Sequence, residues 1–268
     1  MPVTKYSETP VKIVYGGDYI VTANSASIAY AASLDSSRIL APNQNNNFRI
    51  AGPLAAKISF NFVACNTGSN NAANLLINTL TGDVVSDIMI GNSLFSGCYC
   101  NSVSVDVAPF APVTISAEFT SNNMIVNSGF APATATPSTQ NLNGYLAHGH
   151  NTVISNGAAL SDSNYGAISY RVNCGRTPSF TLGQKLAQTM FLDTVEKEVS
   201  IKATNIGNFI DYTGYGDTIS INVKTDLGTG IFSPPLSMSA NSRIVSQNLS
   251  ITEGEILAGD ISLREVIL

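Results

Sequence analysis

Ile58-Ser59-Phe60-Asn61-Phe62-Val63-Ala64-Cys65 and, in the second half of the chain, Ile168-Ser169-Tyr170-Arg171-Val172-Asn173-Cys174 spell nearly the same strand-like phrase. Each alternates apolar with polar or small residues, the period of two written by a strand with one buried face. Two more phrases follow in the same order. Ser102-Val103-Ser104-Val105-Asp106-Val107 is answered by Glu198-Val199-Ser200-Ile201-Lys202-Ala203, and Val113-Thr114-Ile115-Ser116-Ala117 by Asp217-Thr218-Ile219-Ser220-Ile221. The recurrence predicts a mainly β protein with minor α content, built as two tandem β-barrel or sandwich domains: residues 1–131, a linker at 132–144, and residues 145–268. Chance is the competing explanation, because the spacing between phrases differs between the halves and any half-buried strand alternates in this way.

With 268 residues, the chain is long enough for one large β-domain or two smaller ones, each with its own core. Charged residues make up only 12 % of it, about half the usual share, and Asn, Ser, Thr and Gly fill the polar positions instead. A hydrophobic content of 44 % separates it from disordered chains. The formal charge of −5, without a Lys/Arg cluster, argues against a protein that grips nucleic-acid phosphates. No apolar run approaches the roughly 20 residues needed to cross a bilayer, and the N-terminus lacks a basic segment followed by an apolar core. A soluble product made in the cytoplasm, without a membrane partner, is expected.

Along the chain, residues 11–15 and 19–21 read as short strands joined around Gly16-Gly17-Asp18. Gly52-Pro53 punctuates the approach to the Ile58 strand. Ala72, Leu75, Leu76, Thr79 and Leu80 fall at helical spacing between cap candidates Ser69-Asn70-Asn71 and Gly82, predicting a short helix over about 71–81. Leu186, Ala187, Met190 and Phe191 predict a second, weaker helix within 183–193, so that each domain carries one. Residues 127–144 hold two prolines, small residues and no charge, the composition of a linker or long loop. Later strands are read near 152–154, 167–172, 198–203, 218–223, 236–238, 244–251 and 261–267.

Catalytic chemistry finds little support. His148 and His150 flank Gly149, a spacing compatible with metal binding or a pH response and equally with ordinary loop surface. Cys98-Tyr99-Cys100 lacks the second paired motif of a zinc site, and Cys65, Cys98, Cys100 and Cys174 read as small core residues. No G-x-S-x-G elbow accompanies the serines, and Gly214-Tyr215-Gly216 and Gly228-Thr229-Gly230 read as hairpin turns rather than phosphate loops. Glu253 with Glu255, and Asp193 with Glu196 and Glu198, are acids at ordinary surface spacing. A non-enzyme with no cofactor and no metal is expected.

The run from Ser96 through Pro109 and Pro112 to Phe119 reads as a strand, a proline-rich corner and a second strand, and residues 168–183 with the later strand at 193–203 repeat that pattern. With the doubled layout, this resembles virion structural proteins of tailed bacteriophages, in particular two-domain relatives of the tail-tube and tail-hub family. The resemblance implies small β-barrel or sandwich domains, each with a flanking helix, whose sheets join side by side around a lumen. It implies a non-enzymatic tube, neck or hub subunit that meets other tail or neck proteins and conducts DNA without binding it specifically. Three copies would supply six pseudo-equivalent domains to one ring. A β-sandwich adhesin or capsid decoration protein is the alternative, with Tyr212 and Tyr215 as interaction candidates and Tyr145 and Tyr165 as further exposed aromatics.

Overall fold

The computed structural model describes residues 11–21, 23–36, 48–64, 72–91, 93–108, 111–121, 153–155, 164–184, 186–205, 219–225, 236–250 and 258–267. Its first half comprises β1 (Val11–Val14), β2 (Asp18–Val21), β3 (Ala23–Ser36), β4 (Phe48–Val63), β5 (Ser86–Ile90), β6 (Ser93–Val107) and β7 (Thr114–Ser121). The second comprises β8 (Val153–Ser155), β9 (Asn164–Ser179), β10 (Thr189–Asn205), β11 (Ile219–Thr225), β12 (Leu236–Ser250) and β13 (Ala258–Ile267). All belong to one antiparallel sheet system. The chain is therefore mainly β, as the alternating phrases require.

The pairing path β3-β4-β7-β6-β5-β1 in the first half recurs, strand for strand in chain order, as β9-β10-β13-β12-β11-β8 in the second. Registers recur with it. Cys98 is the last β6 residue to pair with β5, and Ser242 the last β12 residue to pair with β11. A bulge at Asn101 interrupts the β6·β7 ladder, and one at Val245 interrupts β12·β13 at the matching place. Asn24 in β3 and Gly166 in β9 are skipped alike opposite β4 and β10.

These registers correct the alignment read from the sequence. Ile58 of β4 corresponds to Val199 of β10, whereas Ile168 of β9 corresponds to Ala26 of β3. The phrases beginning at Ile58 and Ile168 thus occupy different strands of the repeated path. Alternation reports only which face is buried, so neighbouring strands of one sheet spell interchangeable phrases.

One core runs through both halves. Ile58, Phe60, Val105, Ile115 and Phe119 join Tyr170, Val172, Val199, Ile201 and Leu263 in a single buried cluster. The Phe60 and Phe119 rings stack at 5.9 Å. Each such side chain contributes about 1.5–3 kcal/mol on burial. The Tyr170 hydroxyl, on the buried side of β9, donates to the Ser239 carbonyl at 3.3 Å. As β12 is not a sheet neighbour of β9, its first half folds back over the core.

The expected helix is present as one α turn, Ala72–Leu75, running directly into a π turn, Leu76–Leu80. Its buried Leu75, Leu76, Ile77 and Leu80 anchor it, and the α turn lies against β2 and β12. Thr81 closes it by donating from Oγ1 to the Ile77 carbonyl at 2.9 Å. The cap candidates Ser69, Asn70 and Asn71 lie outside the described residues.

The second helix is not formed where the spacing placed it. Residues 186–188 are irregular, and β10 begins at Thr189, with Met190 opposite Pro178 and Phe191 opposite Thr177. Met190 is buried and Phe191 exposed, so the apolar pair marks alternation across a strand rather than one helical face. Gly52-Pro53 likewise does not interrupt β4. The ladder with β3 slips there, between the pairs Ala32↔Leu54 and Leu34↔Ile50, and the strand continues. The strands read at 236–238 and 244–251 are a single strand, β12. At the first hairpin, Gly16 has a φ of 61° and closes the β1–β2 turn that Gly16-Gly17 predicted.

Candidate functional site

The two halves meet edge to edge. Residues 102–107 of β6 pair antiparallel with residues 168–173 of β9, in the register Ser102↔Asn173 to Val107↔Ile168. β7 occupies the opposite edge of β6, while β5 occupies only its first part, from Ser93 to Cys98. β9 therefore takes the stretch of edge that β5 leaves open. On the buried side Val103, Val105 and Val107 face Val172, Tyr170 and Ile168, all almost fully buried. On the other face the Ser169 hydroxyl donates to Asp106 at 2.7 Å.

A polar latch reinforces this seam. β9 and β10 continue beyond the shared ladder, and Arg176 there turns inward with a side chain only 2 % exposed. Its Nε donates to the Cys100 carbonyl at 2.9 Å and its Nη2 to the Gly82 carbonyl at 2.5 Å. The guanidinium lies 5.2 Å from the Tyr99 ring centre, and Nη1 is 3.6 Å from the Asp83 carboxylate. Cys174 adds an Sγ contact to the Thr81 carbonyl at 3.2 Å. Backbone carbonyls just beyond the helix, at Thr81 and Gly82, are thus met by side chains from the other half of the chain.

Burial governs the thiols around the latch. It pushes Cys98 up to about 12 and Cys100 higher still. It also raises Cys174, against the Arg176 guanidinium, which holds that thiol down. All three are free and buried, and thiols raised by burial stay protonated at neutral pH, as packing groups do.

The outer face of the sheet carries a continuous polar row. One row of directly opposed residues runs Ser25, Asn61, Ser116, Ser104, Arg171, Glu198, Arg264 and Arg243, crossing from β3 to β12 without a break at the seam. A trough of about 530 Å³ lies on this face, with Ser59, Asn61, Ser102, Glu118, Arg171 and Asn173 in its lining. Small hydroxyls and amides dominate it, so it presents hydrogen-bonding groups with little net charge.

Each end of this path leaves an edge open among the described residues. β3 pairs only with β4, and the second part of β12, from Arg243 onward, pairs only with β13. Ile28 of β3 is 43 % exposed, whereas Tyr170, at the matching position of β9, is 2 % exposed. Tyr170 has a strand neighbour on each side, β6 and β10, whereas Ile28 has β4 alone among the described residues.

Tyr212 and Tyr215, with Tyr145, His148, His150, Cys65, Glu253, Glu255 and both glycine-rich triplets, lie outside the described residues. Tyr165 lies in β9, opposite Ala203. Asp193 accepts a hydrogen bond from Thr177, and Glu196 pairs with Arg264, so these acids have separate structural partners. Among the described residues no group of His, Cys, Asp and Glu could hold a metal ion, and no helix is long and apolar enough to cross a membrane. Sequence reasoning missed Arg176; its only signal was a cation at a phrase's end, where alternation breaks. No protein-family model matches the chain, and no curated protein matches it in sequence.

Proposed function

We propose that the chain is a non-enzymatic structural subunit, made of two like β-domains at 1–131 and 145–268 joined through 132–144, that assembles through its sheet edges into a ring or tube. The single observation that carries this reading is the β6·β9 seam, where two copies of one strand path are spliced edge to edge with a similar edge open at each end. A head-to-tail contact of this kind repeats until it closes, and closure satisfies edge strands that would otherwise invite aggregation. The virion of a tailed bacteriophage, as a tail tube, neck or hub component, is the setting that fits. Its acidic balance, with a pI near 4.9, and its polar, sparsely charged face suit a wall along which DNA slides without specific binding.

Negative-stain microscopy of the purified chain over a range of concentrations tests this. Rings or tubes with a central opening are expected; a particle that stays a single chain at high concentration contradicts it. The trough on the polar face favours a second reading, a β-sandwich adhesin or capsid decoration protein that binds a surface glycan or another virion protein. A glycan array reports on it, and binding unaffected by substitution of Tyr212, Tyr215 or Glu118 removes those residues from it.

A further inference from the structure

The geometry points to a specific splice between copies: residues 246–250 of β12 in one chain pair antiparallel with residues 27–31 of β3 in a second copy, in the register that β6 and β9 use within the chain. This inference rests on the assembly reading above and names its contact.

The register follows from the repeated ladders. Ser246 and Asn248 of β12 hold the places of Ser102 and Ser104 of β6, because the bulge at Val245 matches that at Asn101. Ala31 and Ala29 of β3 hold the places of Asn173 and Arg171 of β9, because both strands meet their hairpin partners with the same slip. Within the chain Ser102 pairs with Asn173 and Ser104 with Arg171. Between copies, Ser246 therefore pairs with Ala31, Asn248 with Ala29, and Ser250 with Ser27.

Exposure points the same way. All described side chains of β3 from Asn24 to Ala29 are exposed, although β3 is the counterpart of β9, whose Ile168, Tyr170 and Val172 are buried. The new ladder would cover Ile28 opposite Leu249, as Tyr170 is covered opposite Val105. The two seams differ in one respect. The places of Cys174 and Arg176 are taken in β3 by Ala32 and Leu34, which carry no side-chain donor, so the seam between copies lacks the latch of the seam within them.

Two single variants, Ala29→Cys and Asn248→Cys, made in a Cys65→Ser background, test the register. Opposed residues of an antiparallel pair bring Cα atoms to about 4.5–5.5 Å, within reach of a disulfide. Mixed, assembled and oxidised with copper phenanthroline, they are expected to give a covalent dimer that neither variant gives alone. Ser25→Cys mixed with Asn248→Cys, displaced by roughly 13 Å along the strand, is expected to give none. Hydrogen exchange on the unsubstituted protein supplies an independent readout: amides within 27–31 and 246–250 should gain protection on assembly. Assembled particles that cross-link only through Ser25→Cys, or gain no protection at these edges, overturn the splice while leaving the assembly reading intact. A chain that never associates overturns both.

Discussion

Arg176 of β9 places its Nε 2.9 Å from the carbonyl oxygen of Cys100 on β6, so one side chain from the second half of the chain caps backbone groups of the first. The same guanidinium serves the Gly82 carbonyl at the end of the helix. Arg176→Leu removes these donors and is expected to cost about 1–3 kcal/mol for each carbonyl left without a partner. Urea unfolding of the purified chain measures it. Arg176→Lys should recover only part of the loss, because an ammonium cannot reproduce the fork that meets two carbonyls. Equal stability of the leucine variant and the parent would show that the latch contributes nothing.

Tyr170 separates packing from hydrogen bonding. Its ring is buried at the seam and its hydroxyl reaches Ser239 at 3.3 Å. Tyr170→Phe should lose about 1 kcal/mol and Tyr170→Ala about 3–5 kcal/mol, read from denaturant midpoints. A phenylalanine variant as damaged as the alanine variant would place the main contribution in the hydroxyl instead.

The buried thiols predict an alkaline limit to stability. Cys98 is pushed from 9.0 to about 12 in the folded chain, with burial as the main cause. A folded pKa above the unfolded one means that the unfolded chain releases this proton first, so its contribution is intact below pH 9 and is lost as pH rises from about 9 toward 12. Cys98→Ala should flatten the fall in urea midpoint across that window. At pH 8, in a Cys65→Ser background, Cys98, Cys100 and Cys174 should resist a thiol reagent until denaturant is added. Rapid labelling of the native protein would contradict the packing role.

Much of the architecture is legible in the sequence, at the level where one residue reports one face. Alternation in 102–107 and 113–117 marks β6 and β7, and the spacing of Leu75, Leu76 and Leu80 marks the helix. What alternation does not carry is identity among strands. The phrase at Ile58 reads like that at Ile168, whereas the repeated ladders match Ile58 to Val199. Met190 and Phe191 show the same limit, since two adjacent apolar residues suit either period until a partner strand decides. Arg176 was illegible for another reason. Its partners, Gly82, Asp83 and Cys100, lie far away in sequence, and only the fold brings them together.

Ile28 separates assembly from folding. It is 43 % exposed on the open edge of β3, so Ile28→Lys should leave the unfolding midpoint of the isolated chain within about 0.5 kcal/mol of the parent. On an edge strand lysine is also a strong obstacle to pairing with another chain. Sedimentation should therefore show a folded single chain where the parent forms larger particles. An undiminished particle would exclude this edge from the contact.

Native mass spectrometry of the assembled particle tests the central claim most directly. A closed head-to-tail splice predicts one dominant species at an integral multiple of the 28.1 kDa chain, with three chains giving six like domains in the ring. A single 28.1 kDa species at every concentration, or a continuous ladder of masses with no preferred closure, would contradict it.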